Sequence, residues 1–371
     1  MAPILRLCSL IDFHLHERER FAGAASVAVA TQSPNPIADA LTRLVAHRDL
    51  GEEQMRLAIG EIITGRCGEP EIAAFLTALR MKGESAVELA AAAAVLRAHM
   101  VRLETPRETV LDTCGTGGDG LGTFNISTAT ALVVAATGVP VVKHGNRAVS
   151  SRSGSADVLA ELGVAIEGGV DWTRRCLETV GLAFCFAPHF HPALARMAPL
   201  RRQLRIPTLF NFLGPLVNPA GACYQLLGVG QPELLDPMAG ALARLGGRRA
   251  VLVCGCDGLD EVTLSAATLV REVRQGIVQA REWSAHDFGL APCAPAEIRA
   301  VDARDSAAII RAVLDGQDGP PRRLVLANAA AALWTAERVS SLAEGVEMAA
   351  EALATGRASH VLQRLVACSS G

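Results

Sequence analysis

Apolar residues recur at helical spacing through the first hundred positions. Ile37, Leu41, Leu44 and Val45 fall at i, i+4, i+7 and i+8, behind Asn35 as a cap and Pro36 in the first turn. Met55, Ile59, Ile62 and Ile63 predict a second helix, and Ile72, Phe75, Leu76 and Leu79 a third. The Ala-rich stretch 87–100 predicts a fourth. Four short amphipathic helices in succession read as a small helical domain over 35–105. Residues 1–34 differ: a charge run at 17–20 gives way to Ala/Ser/Val sequence and a break at Ser33-Pro34. They read as an atypical, poorly ordered N-terminal extension.

After Pro106 the periodicity changes. Val110-Leu111 and the β-branched run 139–142 read as strands, and 129–136 and 155–162 as helices. Further short strands are expected at 182–186, 250–254 and 323–326. Such alternation predicts an α/β architecture: a small α-helical domain followed, over 106–371, by a larger domain with a central, mainly parallel sheet. The segment 191–219 interrupts the rhythm with basic, Pro-containing helical sequence, and reads as returning to the helical domain.

Composition narrows the function. Of 371 residues, 50% are hydrophobic and 20% charged, which excludes disorder for the bulk of the chain. The formal net charge of -3 argues against a general electrostatic grip on nucleic acid or on an anionic membrane. Any anionic ligand must then be held by local devices. The longest apolar stretch, 129–142, contains two Thr, a Gly and a Pro and stops at Lys143, so no membrane span is expected. No secretory leader pattern is seen near the start. The ten Cys are scattered, and the one tight pair, Cys254 and Cys256, has poor spacing for zinc or redox work. Buried thiols in a reducing cytoplasm are expected.

Candidate chemistry concentrates after the first strand. Asp112-Thr-Cys-Gly-Thr-Gly-Gly-Asp-Gly120 is followed by Asn125-Ile-Ser-Thr128 at a helix start. Consecutive N–H groups in a Gly-rich turn, together with a helix N-terminus, make a cradle for phosphates. A plain turn with helix caps is the alternative. Gly115, Gly117 and Gly120 also fit a dinucleotide fingerprint, but the next strand leads into Lys143 where that motif needs an acid. No Lys in the loop completes a nucleoside triphosphate P-loop. Lys143-His-Gly-Asn-Arg-Ala-Val-Ser-Ser151 then follows a buried-looking strand, with Ser153 and Ser155 just beyond it. It exceeds what helix capping needs and lies where α/β sheets bind ligands. Asp260 and Glu261 are adjacent carboxylates of the kind magnesium takes, although Asp257-Gly258 by itself reads as a turn. Arg201, Arg202 and Arg205 read either as a solvated helix face or as a carboxylate clamp. His189 and His191 read as loop or packing residues. No nucleophile motif is present.

As a set, Gly-Thr-Gly-Gly-Asp at 115–119, Asn-Ile-Ser-Thr at 125–128, 143–151 and Gly-Ser-Ala-Asp at 154–157 resemble the anthranilate phosphoribosyltransferase family. So do Asn211-Phe-Leu-Gly-Pro-Leu-Val-Asn-Pro219, Asp257-Gly-Leu-Asp-Glu261 and Asn328-Ala-Ala-Ala-Ala-Leu333. The resemblance covers about residues 35–367. It implies transfer of a phosphoribosyl group from phosphoribosyl pyrophosphate to the amine of anthranilate, in tryptophan biosynthesis, by a cytoplasmic homodimer joined through the helical domain. Phosphoribosyl pyrophosphate contacts are implied at Gly115, Gly118, Asp119, Thr123, Asn125, Ile126, Ser127 and Thr128. More are implied at Lys143, His144, Gly145, Asn146, Arg147, Ala148, Val149, Ser150 and Ser151, and at Ser155. Anthranilate contacts are implied at Gly115, Asn146 and Arg201, and Mg2+ ligands at Ser127, Asp260 and Glu261. One departure stands out: the family usually has Gly-x-Arg-Thr before Phe-Asn, and this chain has Arg205, Ile206, Pro207 and Thr208. Pyrimidine nucleoside phosphorylases share a Lys-His-Gly-Asn-Arg-like segment, but their Gly-rich loop normally begins Lys-His-Ser-Thr-Gly-Gly. A non-catalytic nucleic-acid-binding relative would be basic and lack the acidic pair.

Overall fold

The computed structural model describes residues 35–148 and 153–370. The extension expected at 1–34 lies outside the described residues, as do Val149, Ser150 and Ser151.

Four helices open the described chain: α1 (Pro36–Leu44), α2 (Glu52–Thr64), α3 (Glu69–Lys82) and α4 (Ala86–His99). Local chemistry sets their ends. Ser85 accepts the Glu88 N–H at 3.3 Å, and the Glu88 carboxylate reaches back to the Ser85 N–H at 2.8 Å. This reciprocal cap satisfies two donors that the first helical turn leaves open. Glu88 is fully buried, and its charge is balanced by Lys82 at 2.8 Å.

The second part is built on β1 (Leu111–Gly115), α5 (Ile126–Ala136), β2 (Val141–Gly145), α6 (Ser155–Glu161), α7 (Gly169–Val180) and β3 (Leu182–Phe186). Four short helices follow: α8 (Ala187–Phe190), α9 (Pro192–Ala195), α10 (Ala198–Leu204) and α11 (Leu209–Leu213). The chain then re-enters the sheet as β4 (Tyr224–Gly228), α12 (Leu235–Leu245), β5 (Arg249–Gly255), β6 (Thr268–Arg274) and β7 (Ile277–Trp283). It closes with α13 (Ala303–Leu314), α14 (Pro320–Thr335), α15 (Leu342–Ala354) and α16 (Arg357–Ser370).

The seven strands run in the order β3-β2-β1-β4-β5-β6-β7. The first five are parallel, and β6 and β7 add an antiparallel hairpin at one edge. Sequence order reverses between β1 and β4, which makes their carboxyl ends the switch point where open α/β sheets bind ligands. The register there sets Gly115 beside Gly228, and Gly228 beside Val253.

Two hydrophobic cores flank the sheet. One gathers α5, α7, α14, α15 and α16 on a face of the sheet. The other runs from α1–α4 through Met197, Leu200, Phe210 and Phe212 to α12 and the opposite face. Helices α9, α10 and α11 pack on α2, α3 and α4.

One expected element is wrong. Residues 323–326, read as a strand, lie inside the sixteen-residue helix α14. A short Leu-Val-Leu run has no period of its own, and prolines at a helix start and alanines beyond it outweigh β-branching. The helix is buried on nearly all sides, against α5, α15 and β4, so its apolar run shows no solvent face. Conversely β4 was missed: Tyr-Gln-Leu-Leu-Gly lacks β-branched residues, yet all five positions are buried. The β6–β7 hairpin was also missed.

Candidate functional site

The carboxyl ends of β1 and β2, the N-terminus of α5 and the Asp260-Glu261 turn that follows β5 surround a cavity of about 520 Å³. Its floor is the Gly-rich turn. Gly117 and Gly118 have φ of +65° and +82°, a left-handed conformation that side chains disfavour. The Thr116 N–H donates to the Gly228 carbonyl at 2.9 Å, and Gly117 N–H to Asp260 Oδ2 at 3.0 Å.

Asp260 fits because nothing projects beneath it. A Cβ on Gly115 would stand 2.9 Å from Asp260 Oδ2, and one on Gly228 would overlap the Asp260 carbonyl oxygen and stand 2.7 Å from its carbon. Two glycines on adjacent strands thus form the notch that admits the carboxylate. Glu261 is next to it, with the Ser127 backbone N–H favouring its charged form. Burial, then the charge and hydrogen bond of Asp119, push the Asp260 carboxyl up. Burial and the Asp260 charge do the same to Glu261. Such crowding is relieved by cations.

Lys143 answers part of that charge. It is buried in the middle of β2, and its Nζ donates to the Thr113 carbonyl and to Ser127 Oγ, the latter at 3.1 Å. Burial lowers its pKa, while Asp112, Glu261 and Asp260 oppose that shift. The described residues contain no group of three or more His, Cys, Asp or Glu able to hold a metal by themselves. The set Asp260, Glu261 and Ser127 Oγ is all oxygen with two carboxylates. It suits a hard cation that keeps water and substrate oxygens as its other ligands.

Gly115, Gly118, Asp119, Thr123, Asn125, Ile126 and Ser127 all line this cavity. So do Lys143, His144, Gly145, Asn146, Arg147, Ser155, Asp260 and Glu261. Thr128 is placed differently: it is buried behind the wall, and its hydroxyl has no partner among the described residues. Arg147 lies at the rim, paired with Asp157 at 3.3 Å and Glu167 at 3.0 Å.

A second cavity, of about 270 Å³, shares Gly115, Gly117, His144 and Asn146 with the first. Ala148 and Arg201 line it, as do Pro207 and Phe210. Burial shifts the pKa of the Arg201 guanidinium down, and no carboxylate among the described residues pairs with it. The site therefore holds a half-buried cation with no counter-charge among the described residues. Arg205 and Pro207, the departures in the sequence, cap α10 and line this cavity respectively. Arg205 takes a left-handed φ of +53°.

His191, read from sequence as a loop or packing residue, belongs to this second cavity too. Its ring centroid lies 5.0 Å from that of His144. His144 Nδ1 is 3.0 Å from the Gly214 carbonyl, which can only accept, so Nδ1 carries the proton. The Nε2 atoms of both histidines are buried without partners among the described residues. Burial, with mutual repulsion for His144, lowers the pKa values to about 3 and about 4, keeping both rings neutral. Sequence reasoning also passed over Gly228, Gly230 and Ser306. The Gly-Val-Gly at 228–230 was a possible signal, but it became meaningful only with β4 beside β1.

The sequence matches two family descriptions in tandem: glycosyl transferase family, helical bundle domain, over residues 38–100, and glycosyl transferase family, a/b domain, over 107–359. An anthranilate phosphoribosyltransferase of Anaeromyxobacter sp. (strain Fw109-5) is 49% identical over 335 residues, spanning 90% of this chain and 99% of the relative. One of Thermomicrobium roseum is 49% identical over 338 residues, spanning 90% and 97%.

The chain belongs to the anthranilate phosphoribosyltransferase family. Solved structures of that family superpose along nearly its whole length. The Thermus thermophilus enzyme has a TM-score of 0.83 at 40% identity, covering 90% of this chain and all of that one. The Saccharomyces cerevisiae enzyme in complex with PRPP and Mg has a TM-score of 0.84 at 27% identity, covering 91% and 99%.

Proposed function

We propose that this chain transfers the phosphoribosyl group of phosphoribosyl pyrophosphate to the amine of anthranilate, releasing pyrophosphate. The observation that carries this reading is the pairing of two cavities across Gly115 and Asn146. One has an amide cradle, a buried lysine and crowded carboxylates; the other has a half-buried arginine with no counter-ion among the described residues. A diphosphate sugar fits the first and a flat aromatic carboxylate the second.

Each group then has a task. The turn at 117–118 and the α5 N-terminus hold the diphosphate, and Lys143 adds a buried positive charge beside it. Asp260, Glu261 and Ser127 Oγ would hold Mg2+, which when bound neutralises charge on the departing diphosphate. Arg201 takes the acceptor carboxylate in a planar fork and so aims the amine at the ribose C1. The C1–O bond breaks as the N–C1 bond forms, with positive charge developing on the sugar carbon. No nucleophilic side chain is required. The two neutral histidines keep competing charge out of the acceptor cavity.

Two parts of this reading concern setting. A homodimer through the helical domain is proposed, supported by Val45, just past α1, and Met81, in the last turn of α3, which are 69% and 74% exposed. A cytoplasmic location is proposed as well; no described helix is long and apolar enough to cross a membrane.

The test is direct. Purified protein with phosphoribosyl pyrophosphate and Mg2+ should abolish anthranilate fluorescence, and withholding either should prevent it. Phosphorolysis of thymidine with no loss of anthranilate would refute the reading.

A further inference from the structure

Asn125 occupies the N-cap of α5, but its side chain does not cap the helix. An N-cap asparagine ordinarily gives its side-chain oxygen to a first-turn N–H. Here that oxygen is spent elsewhere. Asn125 Oδ1 accepts from Ser306 Oγ at 3.0 Å and from Ser153 Oγ at 2.8 Å. Ser306 Oγ in turn accepts the Asn125 backbone N–H at 2.9 Å. Ser306 is completely buried, on a helix 181 residues further along the chain. Its hydroxyl has one proton, and Asn125 Oδ1 is the acceptor it meets among the described residues.

The consequence is geometric. With Oδ1 held by two hydroxyl donors, the amide cannot turn its NH2 group toward them without losing both bonds. The two Nδ2 protons are therefore kept on the other side. Asn125 lines the phosphate cavity, and Nδ2 has no protein partner among the described residues. Helix α13, which carries Ser306, packs on α5, α6 and α14, so the hydroxyl is mounted on a rigid element.

We infer that Ser306 is a positioning residue for the transfer reaction, locking the Asn125 amide so that its two N–H donors face the phosphoribosyl pyrophosphate cavity. This rests on the function proposed above and deepens it. Ser306 itself touches no substrate. It sets which end of the Asn125 amide the anionic ligand meets, and Ser153 couples that choice to the loop after β2.

The test is a double-mutant cycle read on substrate KM, with anthranilate fluorescence as the assay. Ser306→Ala should raise the KM for phosphoribosyl pyrophosphate about tenfold, the scale of losing an aligned hydrogen bond to a charged group. The KM for anthranilate should stay within about twofold. In an Asn125→Ala background the same change should add less than about twofold, because the group it aligns is gone. Ser306→Thr, which keeps the hydroxyl, should restore most of the affinity. Ser153→Ala, at a partly exposed position that does not threaten folding, should shift the same KM in the same direction by a smaller factor. Equal effects on both KM values, or a full tenfold effect on top of Asn125→Ala, would overturn the inference. If Ser306→Ala does not fold, an unchanged KM in Ser153→Ala overturns it instead. Wild-type protein that fails to bind the diphosphate sugar would remove the proposed function and this inference together. Normal wild-type binding with an unaffected Ser306→Ala removes the inference alone.

Discussion

Gly228→Ala adds one methyl group where the structure has no room for it. The new Cβ would overlap the carbonyl oxygen of Asp260 and lie 2.7 Å from its carbonyl carbon. Comfortable contact between such atoms is about 3.5 Å or more, and the overlap with the oxygen is the more severe, so the turn carrying Asp260 and Glu261 must retreat by more than about 1 Å. The strand cannot yield in its place, because Gly228 is paired with Gly115 on one side and Val253 on the other. Overpacking of this kind costs about 1–3 kcal/mol of stability. The functional cost should be larger in proportion, since a displacement of about 1 Å in a reacting constellation lowers rate by about 100-fold. The prediction is therefore a folded protein with a kcat reduced at least about 100-fold and a raised Mg2+ requirement. Urea unfolding measures the first quantity and anthranilate fluorescence the second. Gly60→Ala is the control: a Cβ there meets nothing within 4 Å, in the interior of α2. It should stabilise the protein by about 0.5–1 kcal/mol and leave turnover untouched. If Gly228→Ala turns over like wild type with the same Mg2+ dependence, the glycine notch does not position Asp260 and the argument from close approach is wrong.

Three further outcomes are expected. Arg201→Ala should weaken anthranilate more than phosphoribosyl pyrophosphate, by about 2–5 kcal/mol, since it leaves a buried carboxylate unpaired; equal weakening of both substrates would count against the clamp. Arg205→Gly should raise stability by about 0.5–1 kcal/mol, because a side chain at φ of +53° is strained by about 1–2 kcal/mol, partly offset by the greater freedom of glycine when unfolded; a lower urea midpoint would contradict this. The pH dependence follows from His191, whose pKa falls to about 4 on burial from an ordinary 6.5. Between those values the unfolded chain binds the proton and the folded chain does not, so stability drops as pH falls from about 6.5 to 4. His191→Gln should remove up to about 3 kcal/mol of that acid-side slope in unfolding measured across the same range, and an unchanged slope would show that His191 does not titrate as described.

The helices of the first part and the phosphate chemistry were readable along the chain for one reason. Both depend on residues close in sequence: an amphipathic period, a Ser85–Glu88 cap, consecutive N–H groups in a glycine turn. A charge near neutrality likewise pointed to a local anion grip before any fold was known. Residues that act through distant neighbours were not readable. The run 323–326 looked like a strand because a helix buried on every side loses its solvent period. β4 went unseen because a strand covered on both faces needs no alternation. Gly228 has meaning only because β4 lies beside β1 and brings Asp260 over it. His191 became a cavity residue once α8 set it against His144, and Ser306 joined the site across 181 residues. Sequence by itself determined which segments fold and which carry anion-binding chemistry, since short-range hydrogen bonding and periodic burial are written in adjacent residues. Tertiary structure alone decided which far-apart side chains share one desolvated space, because close packing between elements sets their distances and the orientation of each donor.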